Sequence, residues 1–176
     1  MLTDADRTWL GSLPLTVRPA PGVLAFHAVP DDDATYLTQT VVAPTAENPQ
    51  GVREATEREL VERLGTAYGA YGLYLCGHTH LARTRPLPDG SLLVNPGSVG
   101  WPAYADENPH PHRVEAGAPE ARFAILSRTE DGGGGGWTAE LLAVPYDYEE
   151  AASSAERFGR PDLAHMLRTG RLPRRR

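Results

Sequence analysis

The sequence has a single cysteine, Cys76, so no intrachain disulfide can form. It has no run approaching the roughly 18–20 apolar residues of a membrane span. The first residues, Met1-Leu2-Thr3-Asp4, lack the basic-then-apolar pattern of a signal peptide, so a cytoplasmic protein with no membrane partner is expected. Basic charge is also short. The formal net charge is −6, which argues against a broad nucleic-acid-binding face. The Arg-rich stretch Arg171 to Arg176 reads as a frayed, solvated terminus. The run Gly132 to Gly136 lacks the lysine and following helix of a phosphate-binding loop and reads as a flexible turn. No internal repeat is evident.

Glycine (18) and proline (16) are plentiful, which implies many turns and no long-helix architecture. The 176 residues suffice for one domain, 1–176, with its own core. The most informative segment is Gly77-His78-Thr79-His80, directly after the apolar run Leu73-Tyr74-Leu75-Cys76. Two histidines at i and i+2 on a strand end project to the same side of the backbone. Neutral imidazole is the commonest side-chain metal ligand. At this spacing each ring can serve a different ion of a two-metal cluster, whose ions lie about 3.5–4 Å apart. Gly77 would let the chain turn sharply as it leaves the strand. A second loop-forming segment, Asn95-Pro96-Gly97-Ser98-Val99-Gly100, also follows an apolar run.

These two segments, with the upstream Phe26-His27-Ala28-Val29-Pro30, resemble the calcineurin-like metallophosphoesterases, in particular their small bacterial phosphodiesterases. Val144-Pro145-Tyr146-Asp147 and Arg160-Pro161-Asp162-Leu163-Ala164 resemble the end of such a protein. The family's Asp-x-His, Gly-Asp-x-x-Asp and Gly-Asn-His-Asp segments are absent, so the chain is similar to the C-terminal part of that domain. The resemblance implies an α/β fold, a four-layer α-β-β-α sandwich lacking its N-terminal β-α-β portion. It implies hydrolysis of phosphate mono- or diesters by two divalent ions of Mn, Fe, Ni or Zn type. His27 and His78 resemble ligands of one ion and His80 a ligand of the other. Gly77, Thr79, Asn95 and Gly97 resemble supports of the ligand loops. With these ligands alone, metal occupancy would be partial at best, and the chain weakly active or inactive by itself. The rival reading is a non-catalytic scaffolding or binding module of the same fold with a degenerate metal site.

Other residues receive plainer readings. His27 stands between a ligand and a structural histidine, with Ala28 where the family usually has glycine. Cys76 reads as a buried small hydrophobe. Asp31-Asp32-Asp33 reads as a solvated turn with an Asp helix cap. His110 and His112 read as members of a solvated loop, and the resemblance, in which this segment is usually shorter, implies that residues 103–120 are a loop insertion.

Local patterns predict a capped helix after Thr3 and a hairpin of Leu15–Arg18 with Val23–His27. They predict a short helix or extended segment at 36–42 and an amphipathic helix over 51–66, whose stripe Ala55 and Thr56 weaken. Strand 73–76 and a hairpin of 81–87 with 91–94 follow. Strands at 123–126 and 137–144 and helices at 147–158 and 161–169 complete the chain. Leu13, Leu15 and the 51–66 helix would be left partly uncovered, so homo-oligomerisation is expected.

Overall fold

The computed structural model describes residues 2–129 and 136–174. In chain order its elements are α1 (Asp4–Gly11), β1 (Thr16–Val17), β2 (Val23–Phe26), β3 (Gln39–Val41), β4 (Val52–Glu54) and α2 (Glu57–Leu64). A 3-10 turn (Gly65–Ala67) leads to β5 (Leu73–Leu75), β6 (Arg83–Pro86), β7 (Leu92–Asn95), β8 (Ala103–Asp106) and β9 (His112–Glu115). Then come β10 (Ala121–Arg128), β11 (Trp137–Val144), α3 (Tyr148–Arg157) and α4 (Pro161–Thr169).

The fold is mixed α/β. Its centre is a five-stranded sheet in the order β1-β2-β5-β7-β6. The pairs β2–β5 and β5–β7 are parallel, whereas β1 and β6 close the edges antiparallel. Parallel neighbours require a crossover. From β2 to β5 it consists of the β3–β4 hairpin and α2.

Side chains alternate across the sheet with period two. Leu24, Phe26, Tyr74, Cys76 and Leu93 point to one face, where Leu60 and Leu64 of α2 cover them. Val23, Leu73 and Val94 point to the other, where the hairpin β10–β11 lays Ala124, Leu126, Trp137, Ala139 and Leu141 against them. A separate cluster joins Ala103 of β8 to α3 and α4 through Ala152, Ala155, Ala164, Met166 and Leu167.

Several expectations hold in detail. Thr3 caps α1 through a full capping box with Asp6. The turn between β6 and β7 is held by Asp89, whose Oδ1 accepts from Ser91 N and Oγ, and Gly90 there has φ +83°. Three expectations change. The 51–66 helix begins only at Glu57, and Val52–Glu54 form β4, paired with β3. Thr56 does not dilute the helical stripe. It is the N-cap, in a capping box with Glu59. Segment 103–120 is not a bare loop: β8 and β9 pair within it. The glycine run at 132–136 lies outside the described residues except for Gly136.

Much apolar surface stays open. No residue of α1 is buried, and Trp9, Leu10, Leu13, Leu15 and Val17 are all exposed. Phe123 and Ile125 face outward from β10. Among the described residues, no helix is long and apolar enough to cross a membrane.

The capping box and the α2 contact make separable contributions to stability. Leu60 is fully buried, so Leu60→Ala should cost about 2–5 kcal/mol. Thr56→Ala should cost about 1 kcal/mol. Urea denaturation midpoints check both, and equal effects would contradict this placement of α2.

Candidate functional site

The three parallel strands β2, β5 and β7 end side by side, and the candidate residues sit just beyond those ends. In open α/β sheets the crevice outside the carboxyl ends of the strands is where ligands bind. His27 follows β2, His78 and His80 follow β5, and Asn95 closes β7. The backbone ties the loops together: Gly77 N donates to His27 O at 2.8 Å, and Cys76 N to Val94 O at 3.0 Å.

Asn95 is fully buried and braces this junction. Its Nδ2 donates to Gly77 O at 2.6 Å and to Thr79 Oγ1 at 3.0 Å, and its Oδ1 accepts from Gly97 N at 2.9 Å. Thr79, 1% exposed, also pairs its hydroxyl with that of Thr38 at 3.2 Å. Gly97 has φ +95°, and a Cβ there would lie 3.0 Å from Arg122 Cβ, so both conformation and space require glycine.

Gly77 plays a different part from the one its type suggests. It is not among the residues with positive φ, and a Cβ on it would meet His27 O at an ordinary 3.6 Å. The sharp turn is made by the histidines themselves, with φ +61° at His78 and +58° at His80. They lie beyond the strand, which ends at Leu75, so strand alternation does not aim them. Non-glycine residues in this region are strained, and such strain clusters at functional sites.

The structure brings His27 and His78 together. His27 Nε2 lies 3.1 Å from His78 Nδ1. The other ring nitrogen of His78, Nε2, lies 3.0 Å from Ala34 O. A carbonyl only accepts, so Nε2 carries the proton and Nδ1 presents a lone pair to His27. Two imidazole nitrogens bound tetrahedrally to one ion at about 2.0–2.1 Å sit roughly 3.3 Å apart. The observed 3.1 Å contact is a hydrogen bond that His27 Nε2 donates to the bare Nδ1, at a separation close to that of such a pair, and the Ala34 carbonyl fixes the orientation of the His78 ring. His80 is fixed in the same manner: Nδ1 donates to Trp101 O at 2.7 Å, which leaves Nε2 as its lone-pair nitrogen. His80 does not join the pair in a three-donor cluster. Among the described residues, no group of three or more His, Cys, Asp or Glu side chains is placed to hold a metal ion.

An aromatic frame that sequence reasoning missed surrounds His78. Tyr36 meets its ring edge-on at 4.8 Å between centroids, and Tyr104 OH donates to His78 O at 3.3 Å. His112 is not a solvated loop residue. It is 2% exposed on β9, with Nδ1 donating to His110 O at 2.8 Å and Nε2 accepting from Tyr36 OH at 2.9 Å. No local pattern marks Tyr36, because only the fold carries it to the glycine–histidine loop.

Asp32 caps no helix. Its carboxylate accepts from Ala34 N at 3.2 Å, Thr35 N at 2.9 Å and Thr35 Oγ1 at 2.5 Å in a tight turn. Cys76 is buried, and burial pushes its thiol up to about 12, so it is a packed hydrophobe and no thiolate.

Neither a known family nor a curated protein matches the chain by sequence. Among solved structures, it is similar to hypothetical protein PH1004 from Pyrococcus horikoshii OT3, with a TM-score of 0.60 at 16% identity. The match covers 96% of this chain and 56% of that one, so the chain spans little more than half the length of that structure. At this identity the likeness concerns the fold alone.

Burial lowers the pKa of both His78 and His80 from the ordinary 6.5, and neighbouring imidazoles add to it. The folded state therefore holds them neutral where the unfolded chain would protonate them. Their contribution to stability is present above pH 6.5 and is lost as the pH falls through the lowered folded values. The melting temperature of metal-free protein should drop as the pH falls below 6.5, with a shallower slope in a His78→Gln, His80→Gln double variant. Superimposable profiles would contradict the burial of these rings.

Proposed function

We propose that the chain carries one half of the ligand set of a dinuclear metallophosphoesterase centre, with the substrate a small phosphate mono- or diester. The observation that carries this reading is the opposed pair His27 Nε2 and His78 Nδ1 at 3.1 Å, each ring held at the carboxyl end of a parallel strand. His27 and His78 would hold one ion and His80 the other. Two bound divalent ions would supply Lewis acidity toward the phosphoryl oxygens and an activated water. The chain's own residues orient and brace: Ala34 O and Trp101 O fix the imidazole tautomers, and Asn95 locks the loops that bear them. Manganese, iron, nickel and zinc all suit imidazole donors completed by carboxylates.

Hydrolytic centres usually give each ion about three protein ligands. This chain offers two and one, so it should bind metal weakly and turn over generic esters barely or not at all. The four-layer sandwich is part of the proposal. The order α2, central sheet, β10–β11 supports three of its layers, and the outward Phe123 and Ile125 mark where a fourth would lie. Self-association through the open apolar surface follows from the same exposure. A free, buried Cys76 accords with a reducing, cytoplasmic setting.

The lack of a three-donor cluster among the described residues favours a second reading, a scaffolding module with a degenerate site. Calorimetric titration with Mn²⁺ and Zn²⁺ tests the metal claim. Weak binding should weaken further by at least about tenfold in His27→Ala and in His78→Ala. Binding unchanged in both variants overturns it. A chimera that adds the family's carboxylate-bearing segments upstream separates the two readings. Metal-dependent hydrolysis of bis-p-nitrophenyl phosphate, lost in His78→Ala, supports the enzyme. Inertness with every one of the four metals leaves the scaffold.

A further inference from the structure

A cavity of about 930 Å³ lies between β9, α4, the chain that follows α4 and the turn at Gln50. It shares no lining residue with the histidine loops and is within the size range of small-molecule sites. Hydrogen bonds tie its frame together. Arg113 N donates to Gln50 O, Gly117 N to Gly170 O and Leu172 N to the Glu115 carboxylate, each at 2.9 Å. Gly170, with φ +64°, lies so close to the loop after β9 that a Cβ on it would meet Ala118 N at 2.1 Å. The Arg-rich end of the chain, expected to fray from Arg171 onward, is instead held against β9 as far as Pro173, whose O accepts from Arg113 Nη2 at 2.9 Å.

The charge of this cavity is one-sided. Arg113, Arg171 and Arg174 line it together with the imidazole of His165, against a single carboxylate, Glu115. That carboxylate is already engaged within the frame. Its Oε1 accepts from Arg113 Nη2 at 3.0 Å and from Leu172 N, and its side chain is only 10% exposed. Arg171 reaches it no closer than 3.9 Å and stays 62% exposed. Among the described residues, the side chains of Arg174 and His165 have neither a hydrogen-bond nor an ion-pair partner. Three guanidinium groups around one carboxylate leave a repulsion that a bound anion would offset. A concave wall of one charge sign also draws counter-ions to itself, here on a chain whose formal net charge is −6.

We propose that this cavity is a binding site for a compact multivalent oxyanion, a short chain of phosphates or a polycarboxylate. The planar guanidinium fork matches phosphate and carboxylate alike, two N–H donors to two oxygens. More than one anionic group is called for, because Arg171 and Arg174 project from separate points of a pinned backbone around a space much larger than one such group. A compact anion fits better than an extended polyanion, since the acidic remainder of the chain repels whatever reaches beyond the cavity. The site does not rest on the phosphoesterase reading, because none of its residues is a candidate metal ligand.

The test uses the whole chain, stripped of metal beforehand and titrated calorimetrically at low ionic strength with inorganic tripolyphosphate, citrate and orthophosphate. Tripolyphosphate or citrate should bind at one site per chain, at least about tenfold more tightly than orthophosphate. The tighter of the two assigns the ligand as a phosphate chain or a polycarboxylate, and either result upholds the site. An Arg171→Gln, Arg174→Gln double variant should lose about tenfold or more in affinity, with an unchanged melting temperature reporting the fold. Arg128→Gln with Arg157→Gln makes the same charge change at exposed positions outside the cavity and should alter affinity less than about twofold. His27→Ala should bind the anion like the parent chain, so a failed metal site and a failed anion site give different results. No saturable binding up to about 1 mM, equal affinity for orthophosphate, or equal losses in the two double variants would overturn the proposal. A loss in His27→Ala would overturn it too, by moving the anion to the histidine loops.

Discussion

The site depends on one buried side chain. Asn95 closes β7 and makes three hydrogen bonds, two to the loop after β5 and one to its own loop. Those bonds hold two positive-φ histidines in a conformation that costs free energy. Hydrogen bonds in a dry, low-dielectric interior are strong, and leaving one of these groups unpaired would be costly. The strain at His78 and His80 is therefore tolerated because the loop beneath them is over-determined by Asn95, Thr79 and Thr38. Without that brace, the His27–His78 approach across two strand ends would not be fixed.

The sheet supplies the platform. Parallel pairing of β2, β5 and β7 brings three chain segments far apart in sequence to one edge with their C-termini aligned. The alternation that buries Leu24 and Tyr74 under α2 and Val23 and Val94 under the β10–β11 hairpin leaves that edge free of core-forming duty. The same alternation leaves Phe123 and Ile125 uncovered, and α1 contributes nothing to the core. A cavity opens from the edge beside His78, which lines its wall.

Much of this could be read in the chain. The capping box after Thr3, the Pro88-Asp89-Gly90 turn and the paired helices at the end are local signals, and local physics makes those elements. The helix at α2 started six residues later than its apolar pattern suggested. Gly51 to Glu54 satisfies a helical stripe as readily as a strand, and pairing with β3 decided between them. Segment 103–120 carries prolines, histidines and acids, which read as loop, yet β8 and β9 pair there and bury His112. The histidines of the loop after β5 were legible by type and spacing. Their backbone conformation was not, because glycine is the residue that normally takes positive φ, and here Asn95 allows histidine to do so. Tyr36 and Tyr104 were invisible in sequence, since nothing local distinguishes an aromatic that tertiary contacts will carry to a site.

The central claim is that His27 and His78 form one chelating pair through Nε2 and Nδ1. Imidazole ¹⁵N NMR of histidine-labelled protein during a Zn²⁺ titration tests it atom by atom. The account predicts that His27 Nε2 and His78 Nδ1 move together to coordinated shifts, while His78 Nε2 keeps its proton on Ala34 O and His112 does not change. Coordination at His110 or His165 with His27 and His78 unmoved would contradict it, as would binding through His78 Nε2.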